Sequence, residues 1–243
     1  MISQSNGNEM RLNILSGGAA QSVVNALAGD FRAATGYELE CTFGAVGAMK
    51  EKLLAGAPAD LLILTQALIA GLASDGRVLS DSCADLGRVR TGVAVRSGDP
   101  MPAIASADAL RGTLLAAEGI FFPDPQKATA GIHFAQVLDT LGIRGEVAPR
   151  LKTYPNGATA MHELAQAQGE KLVGCTQVTE IKNTPGVVLV GLLPAEFELA
   201  TVYCAGVCTG AAAPAAARRF IELLAGESSR ALRIKAGFEL GTC

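Results

Sequence analysis

The sequence predicts an α/β protein of two lobes, with mixed, mostly parallel sheets joined by two hinge strands. Three observations carry that prediction. Short apolar runs alternate with amphipathic stretches at helical spacing, the order of βαβ units. The alternation occurs as two separate sets. Two long extended segments, Arg88 to Arg96 and Leu199 to Val207, stand between the sets and are the hinge candidates. Residues 1–90 and 203–243 then form one discontinuous lobe and residues 91–202 the other, with a ligand cleft between them. A single larger α/β domain is the alternative.

In the first set, Leu12 to Leu15 reads as a strand that Ser16-Gly17-Gly18 turns into a helix. Val23, Val24, Leu27 and Phe31 give that helix one apolar face, and Gly36 ends it. Glu38 to Phe43 alternates Leu39, Cys41 and Phe43 on one face of a second strand. Gly44 to Gly47 is a small-residue turn into a helix over Ala48 to Ala55. Gly56 to Asp60 breaks that helix before a buried strand, Leu61 to Leu64.

In the second set, helix Ala107 to Ala116 leads to strand Gly119 to Phe122 and the loop Pro123 to Gly131. A helix follows from Ile132 to Leu141, then strand Leu151 to Tyr154. Pro155-Asn156-Gly157 opens a helix over Ala158 to Gln168. Strand Leu172 to Cys175, a short helix Val178 to Lys182 and strand Val187 to Leu192 complete the set. Two helices, Ala213 to Leu224 and Glu227 to Ala236, close the chain.

Composition bounds the function. The 243 residues carry a net charge of −3 and no basic run, which argues against nucleic acid as a partner. No apolar run reaches the roughly 18 residues of a membrane helix, so insertion into a membrane is not expected. The start, Met1 to Met10, has neither a basic region nor an apolar core, so the chain as written reads as cytoplasmic; a processed start would make it periplasmic. The six cysteines form no CxxC and no Cys/His cluster, so no metal and no cofactor are expected.

Four strand-to-helix turns are rich in small residues: Ser16-Gly17-Gly18, Ala45-Val46-Gly47, Thr129-Ala130-Gly131 and Asn156-Gly157 with Thr159. A helix N-terminus exposes unpaired N–H groups and partial positive charge, and small side chains let an anion come close. Such turns lie at the carboxyl ends of the strands, where open sheets bind ligands. None completes a GxxxxGK[ST] or a GxGxxG, so nucleotide binding is not indicated. Thr129, Thr159, Thr176 and Gln177 are candidate polar contacts, although threonines near helix starts also serve as N-caps. Arg90, with Arg88 and Arg96, could hold a carboxylate bidentately or lie at a solvated strand end. His133 and Glu180 are the candidate proton carriers if the protein is an enzyme. Lys50, Lys127 and His162 read as solvent-facing.

Phe43 to Met49, then Leu54-Ala55-Gly56-Ala57-Pro58-Ala59-Asp60-Leu61, resemble the molybdate-binding proteins of ABC transporters. Asp124 to Ile132 and Ala236 to Glu239 are similar to that family as well, and the resemblance spans about Leu12 to Leu240. It implies a type II periplasmic-binding-protein fold whose lobes close over an anion, with an ABC-transporter permease as partner if the chain is exported. Family members place one serine in each of the first two turns; the matching positions here are Ala19 and Val46, with Ser16 and Ser22 nearby. A tyrosine of the family's second lobe falls near Cys175-Thr176-Gln177. A tetrahedral oxyanion would thus lose hydroxyl donors, each worth about 1.5–3 kcal/mol. The ligand expected is a small anion, an oxyanion or a small carboxylate, with a preference altered from the family's. The alternative is a cytosolic isomerase of a small polycarboxylate on the same scaffold, of the aconitate-isomerase type.

Overall fold

The computed structural model describes residues 10–241; Met1 to Glu9, on which the reading of the start rests, and Cys243 lie outside the described residues. In chain order the first elements are β1 (Arg11–Gly17), α1 (Gln21–Thr35), β2 (Glu38–Gly44), α2 (Val46–Leu54), β3 (Leu61–Thr65) and α3 (Gln66–Ser74). Then come β4 (Ala84–Arg96), α4 (Ala107–Ala116), β5 (Gly119–Pro123), α5 (Thr129–Thr140), α6 (Arg144–Val147), β6 (Leu151–Tyr154) and α7 (Gly157–Gln166). The chain continues through β7 (Leu172–Gln177), α8 (Val178–Lys182), β8 (Val187–Leu192), β9 (Ala200–Val207), α9 (Pro214–Ala225) and α10 (Arg230–Ala236).

Local chemistry explains several of the helix boundaries. α1 buries Val23, Val24, Leu27 and Phe31, and ends at Gly36, whose φ of 76° suits a residue without a Cβ. Ser106 and Asn156 cap α4 and α7 by accepting from the N–H groups of Ala109 and Thr159.

The strands run β2-β1-β3-β9-β4-β7-β5-β6, with β8 also paired to β4. β1 lies parallel to β2 and β3, and β5 parallel to β6 and β7, whereas β4 and β9 run antiparallel to their neighbours. β4 is the crossing element. Its first part, Ala84 to Arg90, pairs with β9, and its last part, Thr91 to Arg96, pairs with β7 and β8. The apolar cores separate along the same line. One cluster holds Leu12 through Val89 and returns with Tyr203 through Phe238; two others hold residues between Val93 and Leu193.

The C-terminal segment is fastened across this crossing. Arg88 and Glu239 exchange backbone hydrogen bonds of 2.8 and 2.7 Å. The Glu239 carboxylate also reaches Arg88 Nε at 3.4 Å and Arg90 Nε at 2.9 Å, and Arg90 meets Glu198 at 3.2 Å.

Several elements differ from the expectation, among them α6, which was not anticipated, and the following three. β1 continues through Ser16 and Gly17, which pair with Phe43 and Gly44, so the first turn begins only at Gly18. α5 begins at Thr129, three residues early, because Gly131 lets its first turn press against the Pro123 and Asp124 carbonyls, where a Cβ would collide. α3 was not anticipated: its sequence, QALIAGLAS, lacks the polar face that marks an amphipathic helix.

Candidate functional site

The cleft lies where the chain leaves β1, β2, β5, β6 and β7 toward their helices. Gly18, Ala45 and Val46 come from one lobe; Thr129, Ala130, Asn156, Gly157, Gln177 and Glu180 come from the other. Tyr203, on the crossing strand β9, completes the wall. Together they enclose about 20 Å³, little more than one water needs. In this arrangement the lobes are closed on one another.

Glu180 is the central side chain. It projects from α8 and is 8% exposed. Its Oε2 accepts a hydrogen bond of 2.6 Å from the Thr176 hydroxyl. A Cβ on Gly157 would collide with that oxygen and with the Thr176 hydroxyl, and one on Gly18 would collide with Oε1. The carboxyl is therefore wedged between a glycine of each lobe, at the start of α7. Burial raises its affinity for a proton above the ordinary carboxylate range; the Thr176 hydroxyl and the backbone of Ala158, Gln177 and Gly157 work in the opposite direction, and burial wins.

Beside it, Tyr203 donates its hydroxyl to Gln177 Oε1 at 2.7 Å. In this arrangement the amide's Nε2 is the end left free. Nε2 is buried without a partner, in a residue 2% exposed that lines the cavity. Burying an amide N–H unpaired is costly unless something completes it. Tyr203 is the polar side chain of the cavity that sequence reasoning missed. Burial and the nearby Glu180 charge push its ionisation upward, so it acts as a neutral donor.

Several expected residues lie elsewhere. Ser16 is fully buried and donates to the carbonyl of Gly17; Gly17 is glycine because a Cβ there would meet Val46 and Tyr203. Gly47 donates its N–H to the Lys127 carbonyl across the cleft at 3.2 Å, so it fastens the lobes together. Lys127 adds an exposed ion pair with Glu51 at 2.8 Å. Gly131 is a packing glycine. Thr159 turns both its N–H and its hydroxyl to Asn156 Oδ1, which is capping geometry. Thr176 faces Glu180 and does not line the cavity. Arg90 holds carboxylates, but those of Glu198 and Glu239 in its own chain. His133 Nε2 lies 2.8 Å from the Phe197 carbonyl, away from the cavity. Of the two proton carriers considered, the structure brings only Glu180 to the cleft. Among the described residues, no group of His, Cys, Asp and Glu could hold a metal ion, and no helix is long and apolar enough to cross a membrane.

Known proteins share this architecture. The periplasmic molybdate-binding protein of Azotobacter vinelandii superimposes with a TM-score of 0.77 at 20% identity, over 95% of this chain and all of that one. The sulfate-binding protein of Mycobacterium tuberculosis gives 0.72 at 20% identity, over 94% and 86% of the respective chains. In sequence, an aconitate isomerase from a Pseudomonas species is 27% identical over 230 residues, 90% of this chain and 83% of that protein. The two-lobed frame is thus that of the periplasmic binding proteins. A family profile described as bacterial extracellular solute-binding protein matches residues 12–239, and it is to this family that the chain belongs.

Proposed function

We propose that the interlobe cleft binds a small organic acid through its carboxylates, and that it disfavours fully ionised tetrahedral oxyanions. The observation that carries this reading is Glu180. A carboxyl wedged among helix N-termini repels a dianion that has no proton to offer. The same group, once protonated, donates a hydrogen bond to a ligand carboxylate. Gln177 Nε2 supplies a second donor, and the first-turn N–H groups of α5 have no partners within their helix. Ala45 and Val46 contribute no hydroxyl on the opposite wall. The closed cavity is far below the roughly 300 Å³ of a small-molecule pocket, so the ligand enters by separation of the lobes about the β4–β9 crossing. Membership in an extracellular solute-binding family supports action outside the cytoplasmic membrane, with transfer of the ligand to a membrane permease.

A second reading has a specific observation behind it. Glu180 is a buried carboxyl with raised proton affinity, in a cleft whose relative at 27% identity bears the name aconitate isomerase. On an unsaturated tricarboxylate, a carboxylate base can remove a proton from the carbon next to the double bond. The double bond migrates and the acid form returns the proton at the far end, so the base ends unchanged.

A thermal-shift panel of molybdate, sulfate, citrate and both aconitate isomers tests the first reading. Citrate or an aconitate is expected to raise Tm, while molybdate and sulfate leave it unchanged; the reverse pattern overturns the proposal. A ligand at 100 times its Kd adds about 2.7 kcal/mol. Incubating the protein with one aconitate isomer and following the other by NMR decides whether binding is accompanied by turnover.

A further inference from the structure

The strands that enter and leave the second set of apolar cores, β4 and β9, carry a pair of thiols where they run side by side, away from the cleft. Ala84 stands opposite Ala205, and Asp85 opposite Cys204. Cys83 precedes β4 by one position and is itself extended, with φ −70° and ψ 129°. Side chains two residues apart share a strand face, so Cys83 lies on the face of Asp85 as the diagonal neighbour of Cys204. A Cβ on Gly206 would lie 3.4 Å from Cys83 Sγ, so this thiol leans over β9 on the face that Gly206 shares with Cys204. The two thiols meet in a side-chain hydrogen bond.

The pair lines a groove of about 510 Å³ beside α3, with Gln66, Ile69, Ser80 and Asp85. Cys83 is exposed there, and Cys204 is buried behind it. The Asp85 carboxylate is engaged, accepting from Gln66 Nε2 at 2.7 Å. Contacts of the sulfurs with the backbone are weak: Cys83 Sγ to the Leu79 carbonyl at 3.7 Å, and Cys204 Sγ to the Ala205 carbonyl at 3.5 Å. Burial raises both thiols above their ordinary value, Cys204 to about 12; nearby carboxylates add to the rise, and the bond to Cys204 works against it at Cys83. Such surroundings do not favour the thiolates, the reverse of catalytic dithiols whose lowered pKa stabilises the reduced form. Membership in an extracellular solute-binding family supports an oxidising setting, where disulfides form and persist.

We infer that Cys83 and Cys204 form a redox-controlled staple: oxidised by a small-molecule disulfide, they join β4 to β9 at the root of the second lobe. The Cys83 thiolate attacks one sulfur of the oxidant and releases its first thiolate. The Cys204 thiolate then attacks Cys83 Sγ and releases the second. Two protein thiols become one disulfide, the oxidant's disulfide becomes two thiols, and the two protons pass through water to the released thiolates. The bridge closes the chain between residues 83 and 204, a loop that contains both cores of the second lobe, and so ties that lobe at its neck. It does not depend on what the cleft binds.

Incubation of the reduced, folded protein with glutathione disulfide at mildly alkaline pH tests the staple. Free thiols are then blocked, and the protein is digested without reductant for mass spectrometry. A linked pair of peptides containing Cys83 and Cys204 is expected, with Tm raised by about 5–15 °C, as for a bridge closing a long loop in a chain of this size. Dithiothreitol reverses both. Cys83→Ser and Cys204→Ala are each compared with themselves before and after oxidant, and neither shows the rise. Glutathione retained on Cys83 with Cys204 free, a link from Cys83 to any other cysteine, or no reaction at Cys83 overturns the pairing. A Cys83–Cys204 link without a rise in Tm overturns the staple.

Discussion

The two walls of the cleft are built on the same plan and furnished differently. Both present helix N-termini at the ends of parallel strands. The wall formed by Gly18, Ala45 and Val46 offers backbone and shape, with no polar side chain. The wall formed by Thr129, Asn156, Gln177 and Glu180 offers hydroxyl, amide and carboxyl groups. Tyr203 reaches the second set from the crossing strand through its bond to Gln177. On the proposed reading, discrimination between ligands belongs to the second wall and to Tyr203, while the first wall supplies shape. On that reading, this division of side chains suits a ligand with two different ends.

The largest expected effect comes from Gly157→Ala. The added Cβ collides with Glu180 and Thr176 together, on the chemically furnished wall. Overpacking of this kind costs about 1–3 kcal/mol, and the displaced carboxyl leaves the cleft, so urea denaturation and ligand titration both register the change. Gly18→Ala on the smooth wall meets the far end of Glu180 alone and is expected to cost under about 1 kcal/mol. Equal effects at the two glycines would erase the contrast between the walls.

Next comes Glu180→Gln. Burial raises the Glu180 carboxyl above its ordinary 4.5, so the folded protein retains a proton that the unfolded chain releases. Its contribution to stability is present below that ordinary value and is lost as pH rises through the raised folded value. Wild-type stability is thus expected to decline over that window, and the glutamine variant to show a flatter profile in chemical denaturation at a series of pH values. Matching slopes would mean that the carboxyl titrates in the folded state as it does in the unfolded chain.

The smallest effect sharpens the comparison from the other side. Val46→Ser places a hydroxyl on the smooth wall and is expected to raise the affinity for sulfate or molybdate by about five-fold, one net hydrogen bond. Titration showing no gain for either anion would locate the barrier to oxyanions wholly at Glu180.

Periodicity made most of the frame legible. Val23, Val24, Leu27 and Phe31 announce α1 because the pattern expresses one buried face, and the two long extended segments announce the crossing by their length. α3 stayed hidden for the opposite reason, being apolar on every side. Within the cleft, the small-residue turns pointed to the right neighbourhood, yet only contact geometry distinguishes a glycine that admits a ligand from one that admits a neighbouring backbone. Gly18 and Gly157 face the Glu180 carboxyl, while Gly47 and Gly131 face carbonyl oxygens of the Lys127 and Pro123–Asp124 segments. Arg90 showed the right affinity for carboxylates, but Glu239, far away in sequence, satisfies it. Tyr203 sits in a strand that reads as core, and nothing local marks its hydroxyl as the partner of Gln177.

The fastening of Glu239 over β4 has a consequence for how the protein could be used or disabled. Arg88 and Arg90 lie where the strand passes from one core to the next, so the tail is a splint across the joint. Trimming the chain back past Glu239 would release two arginines and slacken the pivot without touching a single cleft residue. A fluorophore placed on that tail would ride on the joint itself and turn opening and closing into a signal.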